Sequence, residues 1–342
     1  MQTRVAVIGA GSFGRNHLRV LRQVESATLA AVVDTDAHRA AEASSQFGCE
    51  AVSDVDSLRG RVDAAVVATP TSTHAEIGCA LMESGIDVLV REGRIAALGP
   101  KLAAPEGVQV IEAAGQLLSP PFVDAHFHMD ATLSHGLPRV NESGTLLEGI
   151  ALWGELKPQL TQQALVERAL AYCDWAVAKG LLAIRSHVDV CDERLLAVEA
   201  LLHVRERVKP YLDLQLVAFP QDGLLRAPNA LANLKRALDL GVDVVGGIPH
   251  FERTAEQGAQ SVKLLCELAA ERGLRVDMHC DESDDPLSRH VETLAFHTQR
   301  LGLQGRVTGS HLTSMHSMDN YYVSKLLPLM REAGLHAVAN PL

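Results

Sequence analysis

Two histidines two residues apart, His126 and His128, close the apolar run Phe122-Val123-Asp124-Ala125-His126-Phe127-His128-Met129-Asp130. On a β-strand, residues two apart project from the same face, so both imidazoles would stand side by side on a rigid support. That spacing suits a pair of metal ligands; alone, it equally suits two strand histidines satisfied by ordinary hydrogen bonds. Further groups follow apolar runs of the same kind. His279 closes Arg275-Val276-Asp277-Met278-His279, with Glu282 three residues on, and His311 closes Thr308-Gly309-Ser310-His311. Gln221 follows Leu216-Val217-Ala218-Phe219-Pro220 and offers both a donor and an acceptor to a heterocycle. An isolated strand-end histidine usually caps a loop; several at successive strand ends point to a metal-assisted hydrolytic site. A different chemistry opens the chain. Gly9-Ala10-Gly11-Ser12-Phe13-Gly14 is a G-x-G-x-x-G turn between a strand and a helix, and Asp34 ends the next strand. Gly9, Gly11 and Gly14 would admit a pyrophosphate at the helix N-terminus, while Asp34 would accept hydrogen bonds from a ribose.

The elements that must position these groups alternate strand and helix. Strands are expected at 4–8, 29–34, 64–68 and 87–90, with helices over 15–24, 37–47 and 73–84. Residues 91–121 hold short apolar runs broken by Gly and Pro, the texture of small β structure. From 122 onward strands are expected at 123–126, 182–187, 214–219, 242–248, 275–279, 306–311 and 336–339. Helices are expected over 162–178, 192–208, 230–240 and 259–271. Chemistry at strand C-termini in a long β/α series is the pattern of a (β/α)₈ barrel. His203 and His297 fall within helical patterns and are expected to be solvated.

Composition narrows the partners. A net charge of −11 disfavours nucleic acid and anionic membranes, and 47% hydrophobic residues fit a globular core. The six cysteines form no C-x-x-C pair and read as reduced thiols of a cytoplasmic protein. No apolar run is long enough to span a membrane, and because the sequence opens on a strand pattern no signal peptide is expected. The expected partner is a small-molecule substrate; self-association into a homo-oligomer stays open.

Residues 1–90 resemble the N-terminal domain of the Gfo/Idh/MocA oxidoreductases. The resemblance rests on Val5-Ala6-Val7-Ile8-Gly9-Ala10-Gly11-Ser12-Phe13-Gly14, Val32-Val33-Asp34 and Ala68-Thr69-Pro70-Thr71-Ser72-Thr73-His74. It implies NAD(P) as a cofactor. Where that family carries Glu-Lys-Pro with its catalytic lysine, this chain reads Arg91-Glu92-Gly93, so hydride transfer is not expected.

Residues 91–342 resemble the cytosine deaminase branch of the amidohydrolase superfamily. Besides the runs around His126, Gln221, His279 and His311, the matches include Ser143-Gly144-Thr145-Leu146-Leu147-Glu148-Gly149-Ile150, Arg185-Ser186-His187-Val188-Asp189 and Ile248-Pro249-His250-Phe251-Glu252. They also include Ser310-His311-Leu312-Thr313-Ser314-Met315-His316-Ser317 and Ala339-Asn340-Pro341-Leu342, while Gly93 to Pro100 resembles the family's small β-sandwich. The resemblance implies that His126, His128 and His279 bind one divalent metal, iron or zinc, which activates water for attack on C4 of cytosine. Glu282 would shuttle the proton, His311 would hydrogen-bond the tetrahedral intermediate, and Gln221 would hold the pyrimidine edge. His187, His250 and His316 also match, as structural or supporting positions. The zinc fold of the other cytidine deaminases is excluded: His290-Val291-Glu292 supplies H-x-E, but no P-C-x-x-C exists.

The expected fold class is α/β: a partial Rossmann-type doubly wound sheet (residues 1–90), a sandwich remnant or linker (91–121), and a TIM-barrel-like domain (122–342). The last stretch is shorter than the roughly 250 residues of a full barrel. The barrel is therefore expected to lack its last strand, and with it the family's metal-binding aspartate. The leading expectation is a hydrolase acting on the C–N bond of a cyclic amidine, converting cytosine and water to uracil and ammonia. The alternatives are an NAD(P)-binding oxidoreductase-like protein and an inactive chimera joined near Val90.

Overall fold

The structure, a computed structural model, describes residues 2–58, 60–69, 73, 77, 87–91, 94–99, 103–112 and 119–340. Two compact units divide at Ser119/Pro120.

In the first unit, β1 (Thr3–Ile8), β2 (Ala27–Val33), β3 (Glu50–Val52) and β4 (Ala64–Val67) form a parallel sheet in the order β3-β2-β1-β4. Central strands of such a sheet are covered on both faces, which is why β1 reads as unbroken apolar sequence from Val5 to Ile8. Ala6 and Ile8 enter one core cluster and Val7 the other. The first turn of α1 (Ser12–Leu21) depends on glycine: a Cβ on Gly14 would lie 1.7 Å from the Gly9 carbonyl oxygen. Gly9 itself has φ +101° and faces the Ala68 carbonyl. Helix α2 (Ala37–Phe47) is capped by Asp36, which accepts from the His38 and Arg39 N–H groups, and closes on left-handed Gly48. An antiparallel hairpin, β5 (Asp87–Arg91) and β6 (Arg94–Gly99), follows. The helix expected over 73–84 lies almost wholly outside the described residues.

The second unit is a curved sheet of seven parallel strands in sequential order. They are β7 (Phe122–Phe127), β8 (Leu181–Asp189), β9 (Asp213–Phe219), β10 (Val244–Gly247), β11 (Arg275–Cys280), β12 (Val307–His311) and β13 (His336–Val338). Among the described residues, β7 and β13 each pair on one side only. Seven helices are described: α3 (Leu146–Leu156), α4 (Gln162–Ala178), α5 (Leu196–Val208), α6 (Ala230–Asp239), α7 (Ala255–Arg272), α8 (His290–Arg300) and α9 (Asn320–Glu332). Their apolar faces cover the strands in one continuous core. A nearly closed β/α barrel results.

Two of these helices, α3 and α9, lie outside the ranges set out from periodicity, while α8 carries the helical pattern read around His297. Helix α3 contains Gly149 and Gly154, and α9 contains Pro328, so local propensity opposes both. Tertiary packing of Leu152, Leu156, Leu326 and Met330 forms them nonetheless. Helix α5 starts at Leu196 rather than 192, because Leu195 at its N-cap takes a left-handed φ of +52°. The solvation expected for His203 holds, since it is exposed. For His297 it does not. That side chain is only 6% exposed, because it lies on the packed face of α8 with Val291 and Leu294.

Candidate metal centre and active site

Parallel strands in sequential register bring their C-terminal residues to one end of the barrel. His279 of β11 lies beside Ser310 of β12, and Cys280 beside His311. His126, His128, Gln221, His279, Glu282 and His311 all line one cavity of about 590 Å³ there. His250, Ile150, Trp153 and Phe251 complete much of its wall.

Within the cavity, imidazoles crowd together. The His126 ring centroid is 4.2 Å from that of His187, 4.5 Å from His279 and 4.6 Å from His311. One ring nitrogen from each of His126, His128, His187 and His279 falls within 4.8 Å of the others. The Nε2 atoms of His128 and His279 are 2.9 Å apart. Two nitrogens on one tetrahedral ion at 2.0–2.1 Å would stand about 3.3 Å apart, so this spacing is close to that of shared coordination. Both ring nitrogens of His126 and His187, and Nδ1 of His279, are buried without any hydrogen-bond partner in the protein. Buried polar atoms normally find partners. Each neutral ring offers one lone pair, and one nitrogen from each of the four rings lies near enough to the others to make a donor set that fits a divalent ion.

Burial, reinforced by neighbouring imidazoles, keeps the rings of His126, His128, His279 and His311 neutral. It holds His126 and His279 far below the ordinary histidine value, His128 down to about 3 and His311 down to about 4. Neutral imidazole is the form that ligates metal. Burial acts on Glu282 in the opposite sense and pushes it up to about 7. Its Oε1 lies 3.5 Å from Nδ1 of His311. Glu282 is therefore divided between acid and carboxylate near neutrality, as proton transfer in both directions requires.

The backbone aims these groups. Asp281 has φ +54° and turns the chain so that Glu282 enters the cavity. The Asp281 carboxylate caps α8, accepting from the N–H groups of His290 and Val291, the Ser288 hydroxyl and the His290 ring. His311 (φ +74°) and Leu312 (φ +55°) are consecutive left-handed residues at the end of β12. Strain of this kind on non-glycine residues clusters at functional sites. Phe219 stacks on His279 with centroids 4.1 Å apart. Beneath the rings, fully buried Asp277 accepts from Arg185 at 2.8 Å and Ser310 at 2.8 Å, and lies 3.5 Å from Nε2 of His187. Burial pushes Asp277 up, but His187 and Arg185 outweigh it and keep the carboxylate ionised.

His187 is the residue that sequence reasoning underweighted, having set it aside as supporting. It ends an apolar strand run as His279 does, and the structure places it among the imidazoles themselves. His316, another supporting candidate, is exposed. Trp153 was not singled out at all, because the helix that carries it was not expected.

In the first unit, Gly9 and Gly11 lie in the turn before α1, Gly14 in its first turn, and Asp34 stands at the end of β2. The Asp34 carboxylate accepts from the N–H groups of Ala10 (2.7 Å) and Asp36 (2.8 Å) and from Arg39 (2.9 Å). Burial raises Asp34, and these contacts outweigh it and hold its carboxyl below the usual range.

Comparison with known proteins agrees with both halves. The family model "Amidohydrolase family" matches residues 109–341, and "Oxidoreductase family, NAD-binding Rossmann fold" matches residues 3–91. A crystal structure of 5-methylcytosine deaminase from Klebsiella pneumoniae, liganded with phosphonocytosine, is 42% identical, with a TM-score of 0.70. The match covers 74% of this chain and 62% of that one. N-isopropylammelide isopropyl amidohydrolase of Pseudomonas sp. (strain ADP) is 31% identical over 234 residues, 67% of this chain and 58% of that protein. UDP-N-acetylglucosamine 3-dehydrogenase of Acidithiobacillus ferrooxidans is 38% identical over 89 residues, 26% of this chain and 28% of that protein. The chain thus spans about three-fifths of the length of its amidohydrolase relatives. No described helix is long and apolar enough to cross a membrane. With a family model matching most of its length and the metal-ready histidines at the barrel's strand ends, the chain belongs to the amidohydrolase family, joined at its N-terminal side to a Rossmann-type segment.

Proposed function

We propose that the barrel cavity binds one divalent metal ion, iron or zinc, and hydrolytically deaminates an amino-heterocycle of the cytosine type. The observation that carries this reading is the convergence of unpartnered ring nitrogens beside a carboxyl poised near neutrality, all in one cavity. His126, His128 and His279 would hold the ion, with His187 in reach of it. Such an ion supplies Lewis acidity that brings the pKa of water toward neutrality.

The remaining steps belong to side chains. Gln221 presents its amide to the pyrimidine edge. Glu282 takes one proton from the attacking water and delivers it to the ring nitrogen; it then takes the proton of the hydroxyl left on C4 and passes it to the exocyclic amine, so that the C4–N bond breaks, the C4 carbonyl forms and ammonia leaves. His311 donates to the oxygen that adds to C4. The relatives named above favour this class, and the ammelide-type hydrolase among them leaves the exact heterocycle open. In the first unit, Gly9, Gly11, Gly14 and Asp34 would hold NAD(P), a function separable from the deaminase.

Ammonia release from cytosine and 5-methylcytosine by the iron- or zinc-loaded chain tests the reading. Activity that disappears on chelation and in Glu282→Gln supports it. No release from either base, with no change of intrinsic fluorescence on adding them, refutes it for this chain.

A further inference from the structure

Two cavity-lining residues that bear no charge, Trp153 on α3 and Gln221 in the turn after β9, are held through one buried ammonium. Trp153 donates its indole N–H to Oδ2 of Asp189 at 2.7 Å. Asp189, at the end of β8, is 3% exposed, and its Oδ1 accepts the N–H of Cys191 at 2.7 Å. Nζ of Lys157, the residue following α3, lies 3.0 Å from the same Oδ2 of Asp189. The same Nζ also hydrogen-bonds the carboxylate of Asp222, the residue directly after Gln221. The Lys157 side chain is 14% exposed.

One cation therefore ties the carboxylate that orients Trp153 to the residue next to Gln221. Buried ion pairs contribute little net stability against an apolar replacement, and their best-attested use is to fix geometry. No atom of Lys157 lines the cavity, so it has no direct contact to offer a substrate there. We infer that Lys157 is a positioning residue that sets the spacing of the Trp153 wall against Gln221, and so the selectivity of the cavity for heterocycles with a ring carbonyl. This inference rests on the amino-heterocycle reading of the cavity.

The chain has two tryptophans, and Trp175 is 62% exposed on α4, so a Trp175→Phe background isolates Trp153 emission. The zinc-loaded chain is titrated with cytosine and with 4-aminopyrimidine, which lacks the ring carbonyl that Gln221 would read. Lys157→Met is expected to raise the Kd for cytosine about tenfold, one lost hydrogen bond's worth. The Kd for 4-aminopyrimidine should move less than about threefold, and Lys157→Arg should restore most of the selectivity. Should Lys157→Met fail to fold, Asp222→Ala breaks only the Gln221 side of the link, leaves Asp189 paired, and should lose the same selectivity. Equal weakening of both ligands, or an unchanged ratio in both variants, overturns the inference while leaving the cavity reading intact. Absence of saturable quenching by any heterocycle in the unsubstituted chain overturns the cavity reading, and this inference with it.

Discussion

Replacing Glu282 with glutamine should stabilise the metal-free barrel unit, and only at pH values where the carboxyl is forced to ionise. Burial lifts this group from an ordinary value of 4.5 to about 7. Below pH 4.5 it is protonated in both the folded and unfolded chain, and folding is not penalised. Between 4.5 and 7 the unfolded chain releases the proton while the folded chain keeps it, so stability falls as pH rises. Above 7 the folded state carries the full burial cost, roughly 3 kcal/mol from the displacement of the carboxyl. Because the side chain is 22% exposed, solvent trims that to about 2 kcal/mol. Asp130, also pushed up to about 7 by burial against the hydrogen bond from the Asp189 N–H, titrates identically in both proteins and cancels from the difference. Both tryptophans lie in the second unit, so urea unfolding followed by their fluorescence reports the barrel alone. The stability of Glu282→Gln minus that of the parent should grow by about 1.5 kcal/mol from pH 5 to pH 8. A difference that stays flat across that range refutes the buried-acid description of Glu282.

Other substitutions probe the supports of the site. Arg185→Met strands the fully buried Asp277 carboxylate and should cost about 3–5 kcal/mol at pH 7 by urea unfolding. Because Asp277 is held below its ordinary value, that cost is present above the usual carboxylate range and should shrink as pH falls through it. Asp281→Ala removes an acceptor for four donors at the start of α8 and should lower stability by about 3 kcal/mol, with loss of Glu282-dependent ammonia release. Gly14→Ala forces a Cβ into the Gly9 carbonyl, so NAD(H) binding by calorimetry should vanish while barrel unfolding by tryptophan fluorescence is unchanged.

The β/α framework and the strand-end groups were legible because their signals are local. His126-x-His128 needs only the two-residue repeat of a strand, and Gly9, Gly11, Gly14 and Asp34 need only one β-α-β unit. Helix α3 was not legible, since Gly149 and Gly154 speak against it and its stability comes from contacts with other elements. With α3 hidden, Trp153 and the Lys157 link were hidden too, for Asp189 and Asp222 come from two other strands' ends. His187 shows the same limit: its flank marks a buried strand, but only the pairing of β8 with β7 brings it to 4.2 Å from His126. For His297 the helical pattern was right and the face assigned to it was wrong.

The most direct test of the metal centre needs no turnover. The chain is stripped with chelator, loaded with zinc or ferrous ion, desalted, and its metal content measured by mass spectrometry. One ion per chain is predicted, falling to near zero in His128→Ala and His279→Ala while both variants keep the parent's tryptophan unfolding transition. No retained ion in the parent, or equal retention in both variants, contradicts the account.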